Sequence, residues 1–161
     1  MDRLWTPWRY QYITKSAPPV GCIFCSKTAD AANDDANLIV HRGSRNLVLL
    51  NLFPYSCGHL LIAPYEHVDT LAGATAETVA DMMALTRKAD QVLREVYRCA
   101  GLNLGMNLGE CAGAGVAAHI HMHVVPRWPG DANFMTTTAE TRVLPEDLAV
   151  TLARVREGWD A

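Results

Sequence analysis

The chain has 161 residues, half of them hydrophobic and 19% charged, and 17 acidic residues against 14 Lys and Arg give a net charge of −3. This composition fits a globular domain spanning residues 1–161, large enough to bury a core without disulfide staples, and excludes a disordered chain. A negative overall field also argues against coating nucleic acid, so no stable nucleic-acid partner is expected and an anionic ligand would need a local cradle.

The opening Met1-Asp2-Arg3-Leu4-Trp5-Thr6-Pro7-Trp8 lacks the apolar core of a leader, and nowhere do 18 apolar residues run together. A cytoplasmic protein that spans no membrane is therefore expected. Residues 1–21, with Trp5, Trp8, Tyr10 and Tyr12 near Arg3 and Arg9, read as an N-terminal arm packed on the domain or on a partner. The five cysteines (Cys22, Cys25, Cys57, Cys99, Cys111) are odd in number and irregular in spacing, which points to reduced thiols or a metal site rather than a disulfide framework.

After Cys22-Ile23-Phe24-Cys25, the polar segment from Ser26 to Asn37 predicts a loop or short helix. Leu38-Ile39-Val40 and Asn46 to Asn51 predict strands around the turn Arg42-Gly43-Ser44-Arg45, and His59 to Pro64 a third strand after the loop Pro54 to Gly58. From Ala76 to Ala100, Val79, Met82, Met83, Ala89, Leu93, Val96 and Tyr97 recur at helical spacing, with Gly101 as the stop. Leu102 to Leu108 and Ala118 to Pro126 predict strands joined by a Gly- and Ala-rich loop. Pro145 opens a shorter helix with Glu146 and Asp147 in its first turn, Arg154 and Arg156 in its last, and Leu148, Leu152 and Val155 as its buried stripe. Consecutive strands with short connections predict an α+β domain built on an antiparallel sheet.

Chemistry concentrates in His119-Ile120-His121-Met122-His123-Val124-Val125-Pro126. Alternation on a strand sends Ile120, Met122 and Val124 to a core and sets three imidazoles in a row on the other face. Imidazole serves as nucleophile, proton carrier or metal ligand, so the row fits a catalytic zinc on His119, His121 and His123, or attack on phosphorus by the middle histidine. Gly113-Ala114-Gly115 precedes the strand, and glycines let backbone N–H groups approach an anion. Cys22 and Cys25 have the Cys-x2-Cys spacing of tetrahedral metal sites and of redox motifs; the Pro-rich lead-in and polar exit favour zinc. Read without a relative, Asn107 is a turn residue, Asn51 a strand-end cap and His59 the start of a strand.

Residues 119–125 match at every position the His-φ-His-φ-His-φ-φ pattern, with φ apolar, of the histidine triad family, which the chain resembles. The resemblance extends to Asn51 eight residues before His59 and to Pro126-Arg127-Trp128. Gly130-Asp131-Ala132-Asn133-Phe134 and Leu4-Trp5-Thr6-Pro7-Trp8-Arg9 look like the branch that holds diadenosine tetraphosphate phosphorylases and hydrolases. It implies a five-stranded antiparallel sheet with one long helix and one short C-terminal helix, paired as a homodimer, and nucleotidyl transfer on a nucleotide or dinucleoside polyphosphate. In that reading His121 attacks the α-phosphorus and His123 serves the phosphoryl oxygens or the leaving group. Asn51, His59, Asn107, Gly113, Ala114 and Gly115 contact substrate, and Cys22, Cys25, His67 and His119 hold a structural Zn2+. Ala114 and Gly115 stand where a phosphorylase-like relative supplies a hydroxyl, so hydrolysis and phosphorolysis both stay open. The rivals are a zinc hydrolase that uses all three triad histidines as ligands, and a nucleotide-binding module without turnover.

Overall fold

A computed structural model describes residues 21–131 and 146–161. The proposed N-terminal arm, the end of the Gly130–Phe134 motif and Pro145 lie outside or across the edge of the described residues.

In chain order the elements are α1 (Ile23–Ala29), β1 (Ile39–Arg42), β2 (Asn46–Leu50), β3 (Leu60–Pro64), α2 (Ala76–Tyr97), β4 (Gly101–Gly105), β5 (Met122–Arg127) and α3 (Leu148–Asp160). The five strands form one antiparallel sheet in the order β1-β2-β3-β5-β4. This is the α+β class expected, with α1 added at the cysteine pair.

Strand alternation divides the sheet into two faces. Val48, Leu50, Leu60, Ile62 and Val124 point to the side covered by α2 and α3, where they meet Met82, Ala89, Leu93, Leu152, Val155 and Trp159. Leu47, Leu49, Leu61 and Ala63 point to the other side and form a smaller cluster around Phe24 of α1. Each fully buried Leu or Ile contributes about 2 kcal/mol, so the two helices fix the sheet from behind and leave its front face for the histidines.

Local chemistry sets the ends. Thr75 caps α2 by accepting from the Thr78 N–H. The helix ends at Arg98 in the left-handed conformation, φ 49°, three residues before the expected stop. Gly101 cannot be that stop because Ala100 already donates to the Arg127 carbonyl, which commits the chain to pairing with β5. α3 begins at Leu148, with Asp147 ahead of its first turn as the cap, accepting from the Val150 N–H.

The triad strand is shorter than its sequence pattern. β5 begins at Met122, which pairs with Ile62. Two residues further the partner strand reaches Pro64, which has no N–H to give and whose carbonyl is taken by the His119 ring, and the Ile120 N–H donates to the Val68 carbonyl. His119 and His121 thus lie just ahead of the ladder and His123 within it. β4 stops at Gly105 opposite His123, short of the expected Leu108.

Candidate active site

Each triad histidine is oriented by a different acceptor or donor. His121 is 5% exposed, and its Nδ1–H donates to the His119 carbonyl at 3.0 Å. A carbonyl only accepts, so the proton sits on Nδ1 and the lone pair of Nε2 is left for chemistry. Burial pulls the His121 pKa down, opposed in part by that backbone contact, and a neutral imidazole is the nucleophilic form.

His123 is tied to His59. The Tyr55 N–H donates to His59 Nδ1 at 3.1 Å and Asn51 Nδ2 lies 3.4 Å from the same atom. His59 Nε2 therefore carries the proton and donates to His123 Nδ1 at 3.0 Å, which places the His123 proton on Nε2. Burial and then the neighbouring His121 push the His123 pKa down to about 4. The His121 and His123 rings are 5.0 Å apart and the His59 and His123 rings 5.2 Å apart. His59 reaches this position through Gly58, whose φ is +75° and where a Cβ would meet Leu93 and Tyr97 at 3.0 Å. A larger residue at that turn would be strained by the positive φ and would have to push aside the Leu93 and Tyr97 side chains of α2.

His121 and His123 line a mostly apolar cavity of about 240 Å³ together with Ile23, Leu49, Leu61, Phe53, Val116, Asn51 and Lys27. A second cavity of about 290 Å³ opens beside β4, between Asn103 and Arg127. His123, Tyr55 and Asn107 belong to both, so His123 stands at their junction.

The expected substrate loop is placed in part. Gly113, at φ +88°, and Gly115 line the first cavity; Ala114 does not. Two of the three N–H groups read as an anion cradle are used inside the loop: Gly113 donates to Glu110 and Ala114 to Gly109. A turn that satisfies its own backbone has those donors no longer available for a phosphate. Asn107 borders both cavities, and its nearest bond is a long one to the Gly113 carbonyl, 3.5 Å. Asn51 both lines the cavity and caps its turn, since its Oδ1 accepts from the Phe53 N–H at 3.0 Å.

His119 belongs to a different cluster. Its Nε2–H donates to the Pro64 carbonyl at 2.9 Å, which turns Nδ1 toward the cysteines. Cys22 Sγ is 3.3 Å and Cys25 Sγ 3.7 Å from His119 Nδ1, and Cys25 Sγ is 3.3 Å from His67 Nδ1. Tetrahedral zinc with ordinary Zn–S and Zn–N bonds separates S and N ligands by about 3.5 Å. All four ligand atoms lie within 4.8 Å of one another. Burial, followed by the adjacent Cys22 sulfur, raises the Cys25 thiol pKa, a crowding of donors that a cation relieves. Cys22 caps α1 and Cys25 sits in its first turn, so the helix presents both sulfurs to one point. The metal-capable group found among the described residues contains neither His121 nor His123, and the zinc-hydrolase arrangement on all three triad histidines is not the one the chain adopts.

Sequence reasoning did not single out Phe24, Lys27 or Tyr55. Phe24 is 1% exposed and packs at 5.1 Å on the His119 ring and 5.0 Å on the His121 ring. Ile23 and Lys27, four residues apart, share a face of α1 and were visible as such once the helix began at Ile23 rather than after Ser26.

Comparison with known proteins agrees with this geometry. Residues 32–130 match the HIT domain model. The chain is 40% identical over 167 aligned positions to the AP-4-A phosphorylase of Mycobacterium tuberculosis, covering 99% of this chain and 85% of that protein. It is 31% identical over 93 positions to the asymmetrical bis(5'-nucleosyl)-tetraphosphatase of Schizosaccharomyces pombe, covering 58% of this chain and 50% of that protein. Among solved structures, a Zn-bound histidine triad family protein from Mycobacterium smegmatis superposes with a TM-score of 0.70 at 29% identity, covering 87% of this chain and 94% of that one. The chain belongs to the HIT domain family, the histidine triad proteins.

Proposed function

We propose that the protein cleaves dinucleoside polyphosphates such as diadenosine tetraphosphate at the α-phosphate through a nucleotidyl-histidine intermediate on His121. The observation that carries this reading is the chain of contacts from the Tyr55 N–H through His59 to His123 Nδ1, beside a His121 whose Nε2 is left with a lone pair. His121 Nε2 attacks the α-phosphorus and the P–O bond to the leaving ATP breaks. His123 Nε2–H donates to the phosphoryl oxygens or to the departing oxygen. An acceptor then attacks the same phosphorus and His121 leaves. Splitting one displacement into two, with the nucleophile held in place, lowers the barrier by proximity and by charge neutralisation. The two cavities that meet at His123 suit a substrate with two halves.

Two close relatives, named as a phosphorylase and a tetraphosphatase, support dinucleoside polyphosphates as the substrate class. Inorganic phosphate as acceptor yields ADP and ATP; water yields AMP and ATP. Product analysis with and without phosphate decides which acceptor the site takes. Incubation of His123→Ala with α-labelled substrate followed by a mild quench that spares the acid-labile phosphoramidate is expected to leave label on His121, and turnover without any protein-bound label refutes the covalent route. His121→Asn is expected to bind nucleotide without turnover, which separates this reading from a binding module that never turns over.

We also propose that Cys22, Cys25, His67 and His119 hold a structural zinc, a reading supported by the ligand geometry and by the Zn-bound relative. Bound there, the ion supplies a cross-link and no open coordination position. A homodimer fits β4, an edge strand with three exposed residues, Leu104 among them; sedimentation velocity tests it. A reducing cytoplasm is the setting in which Cys22 and Cys25 stay available as ligands.

A further inference from the structure

Among the described residues lining the 240 Å³ cavity, Lys27 is the only Lys, Arg, Asp or Glu. It lies three residues beyond Phe24 on α1, so about one turn, roughly 5 Å, farther along the helix from the contact with His121. Its ammonium is held in place by the Asn37 carbonyl at 2.8 Å and Asn37 Oδ1 at 3.5 Å. Asn37 is itself fixed through its Nδ2, which donates to Asp30 Oδ2 at 2.9 Å. An ammonium has three donors and no acceptor. Two go to Asn37, and no described residue accepts the third.

Ile23, Leu49, Leu61, His121 and Lys27 all line this one cavity, and a nucleoside with its phosphate against His121 would lie along the apolar walls with its base edge toward Lys27. Base edges differ in what they ask of a pure donor. Guanine presents two adjacent acceptors, O6 and N7, whereas adenine sets the donor N6 amino group beside N7. We propose that Lys27 reads the base and that the pocket prefers a 6-oxopurine, guanine, over adenine. This rests on the nucleotidyl-transfer reading only for the position of the phosphate.

The test is calorimetric binding of GMP and AMP to the wild type, Lys27→Met and Lys27→Gln, in parallel with kcat/KM for diguanosine and diadenosine tetraphosphate. The wild type is expected to bind GMP about tenfold more tightly than AMP, in line with one good base contact. Lys27→Met keeps the aliphatic stem and is expected to bring the two to near parity. Lys27→Gln offers a donor beside an acceptor, the match for adenine, and is expected to reverse the order; it also keeps a donor for Asn37 should the methionine variant fail to fold. A GMP-to-AMP ratio that is the same in all three proteins overturns the proposal, as does a wild type that prefers AMP. A ratio that moves as expected in a protein that cleaves neither dinucleotide leaves base reading standing and removes nucleotidyl transfer. Cleavage with an unmoved ratio does the reverse, and absence of both nucleotide binding and cleavage removes both.

Discussion

His59 Nε2 and His123 Nδ1 are 3.0 Å apart, from strands whose residues Leu60 and Val124 are paired in the sheet. Because the Tyr55 N–H occupies the other nitrogen of His59, the proton between the two rings belongs to His59, and His123 is held as the tautomer that donates from Nε2. His59 is thus a positioning residue. His59→Phe keeps an aromatic ring and removes the donor, so kcat is expected to fall about 10- to 100-fold with a smaller change in KM, on the scale seen when a group that orients a catalytic imidazole is lost. His59→Gln, which retains an amide N–H, is expected to recover part of the loss. Steady-state kinetics on all three proteins checks this, and equal losses in both variants refute the tautomer argument.

Burial of His123 bears on acid stability. In the unfolded chain His123 takes a proton near pH 6.5; in the fold, burial and then His121 hold its pKa down to about 4. Above pH 6.5 both states are neutral there and the stability is intact. Between pH 6.5 and about 4 the unfolded state binds more protons, so stability falls as pH falls, by roughly 3 kcal/mol from this group. Urea midpoints at pH 7, 5.5 and 4.5 are expected to drop more steeply for the wild type than for His123→Gln. Parallel slopes would sink the assignment.

Much of this was legible in the sequence, and the reasons differ by element. The triad announces itself because alternation on a strand is a short-range pattern, and Cys22, Cys25, His67 and His119 do come together as expected. The strand positions and the long helix likewise follow from local periodicity. The start of β5 was not legible, since it depends on Pro64, a residue of the neighbouring strand. The anion cradle at Gly113 and Ala114 failed for a similar reason: whether a loop N–H faces a ligand depends on which carbonyls the loop folds back upon, here Glu110 and Gly109. Lys27 escaped notice because a polar segment gives no sign of which side chain a cavity will claim.

Metal removal tests the cluster that joins three distant segments, with Cys22 and His119 97 positions apart in the chain. Protein purified without added metal or chelator is expected to contain one zinc per chain by elemental analysis. Cys22→Ser is expected to lose it, with a fall in stability of about 3 kcal/mol, equivalent to roughly 10 °C in Tm for a chain of this size. A metal-free preparation whose Tm ignores chelator removes the site.

Phe24 links the two clusters, since one ring packs on both His119 and His121. It sits between the two cysteines, fully buried against Leu47, Leu49 and Leu61. Phe24→Ala opens a cavity in that small core and is expected to cost about 3–5 kcal/mol. The more telling variant is Phe24→Leu, which keeps most of the volume but not the flat face against the imidazoles. It is expected to fold with a modest loss of stability while His121 loses its packed orientation, so kcat falls about tenfold or more, because small displacements of a reacting group are costly. Its metal content is expected to stay at the wild-type level, since the four ligands and the Pro64 contact of His119 are untouched. Loss of metal together with activity would instead mean that Phe24 acts through the cluster, and unchanged kcat would mean that His121 is held by its bond to the His119 carbonyl alone.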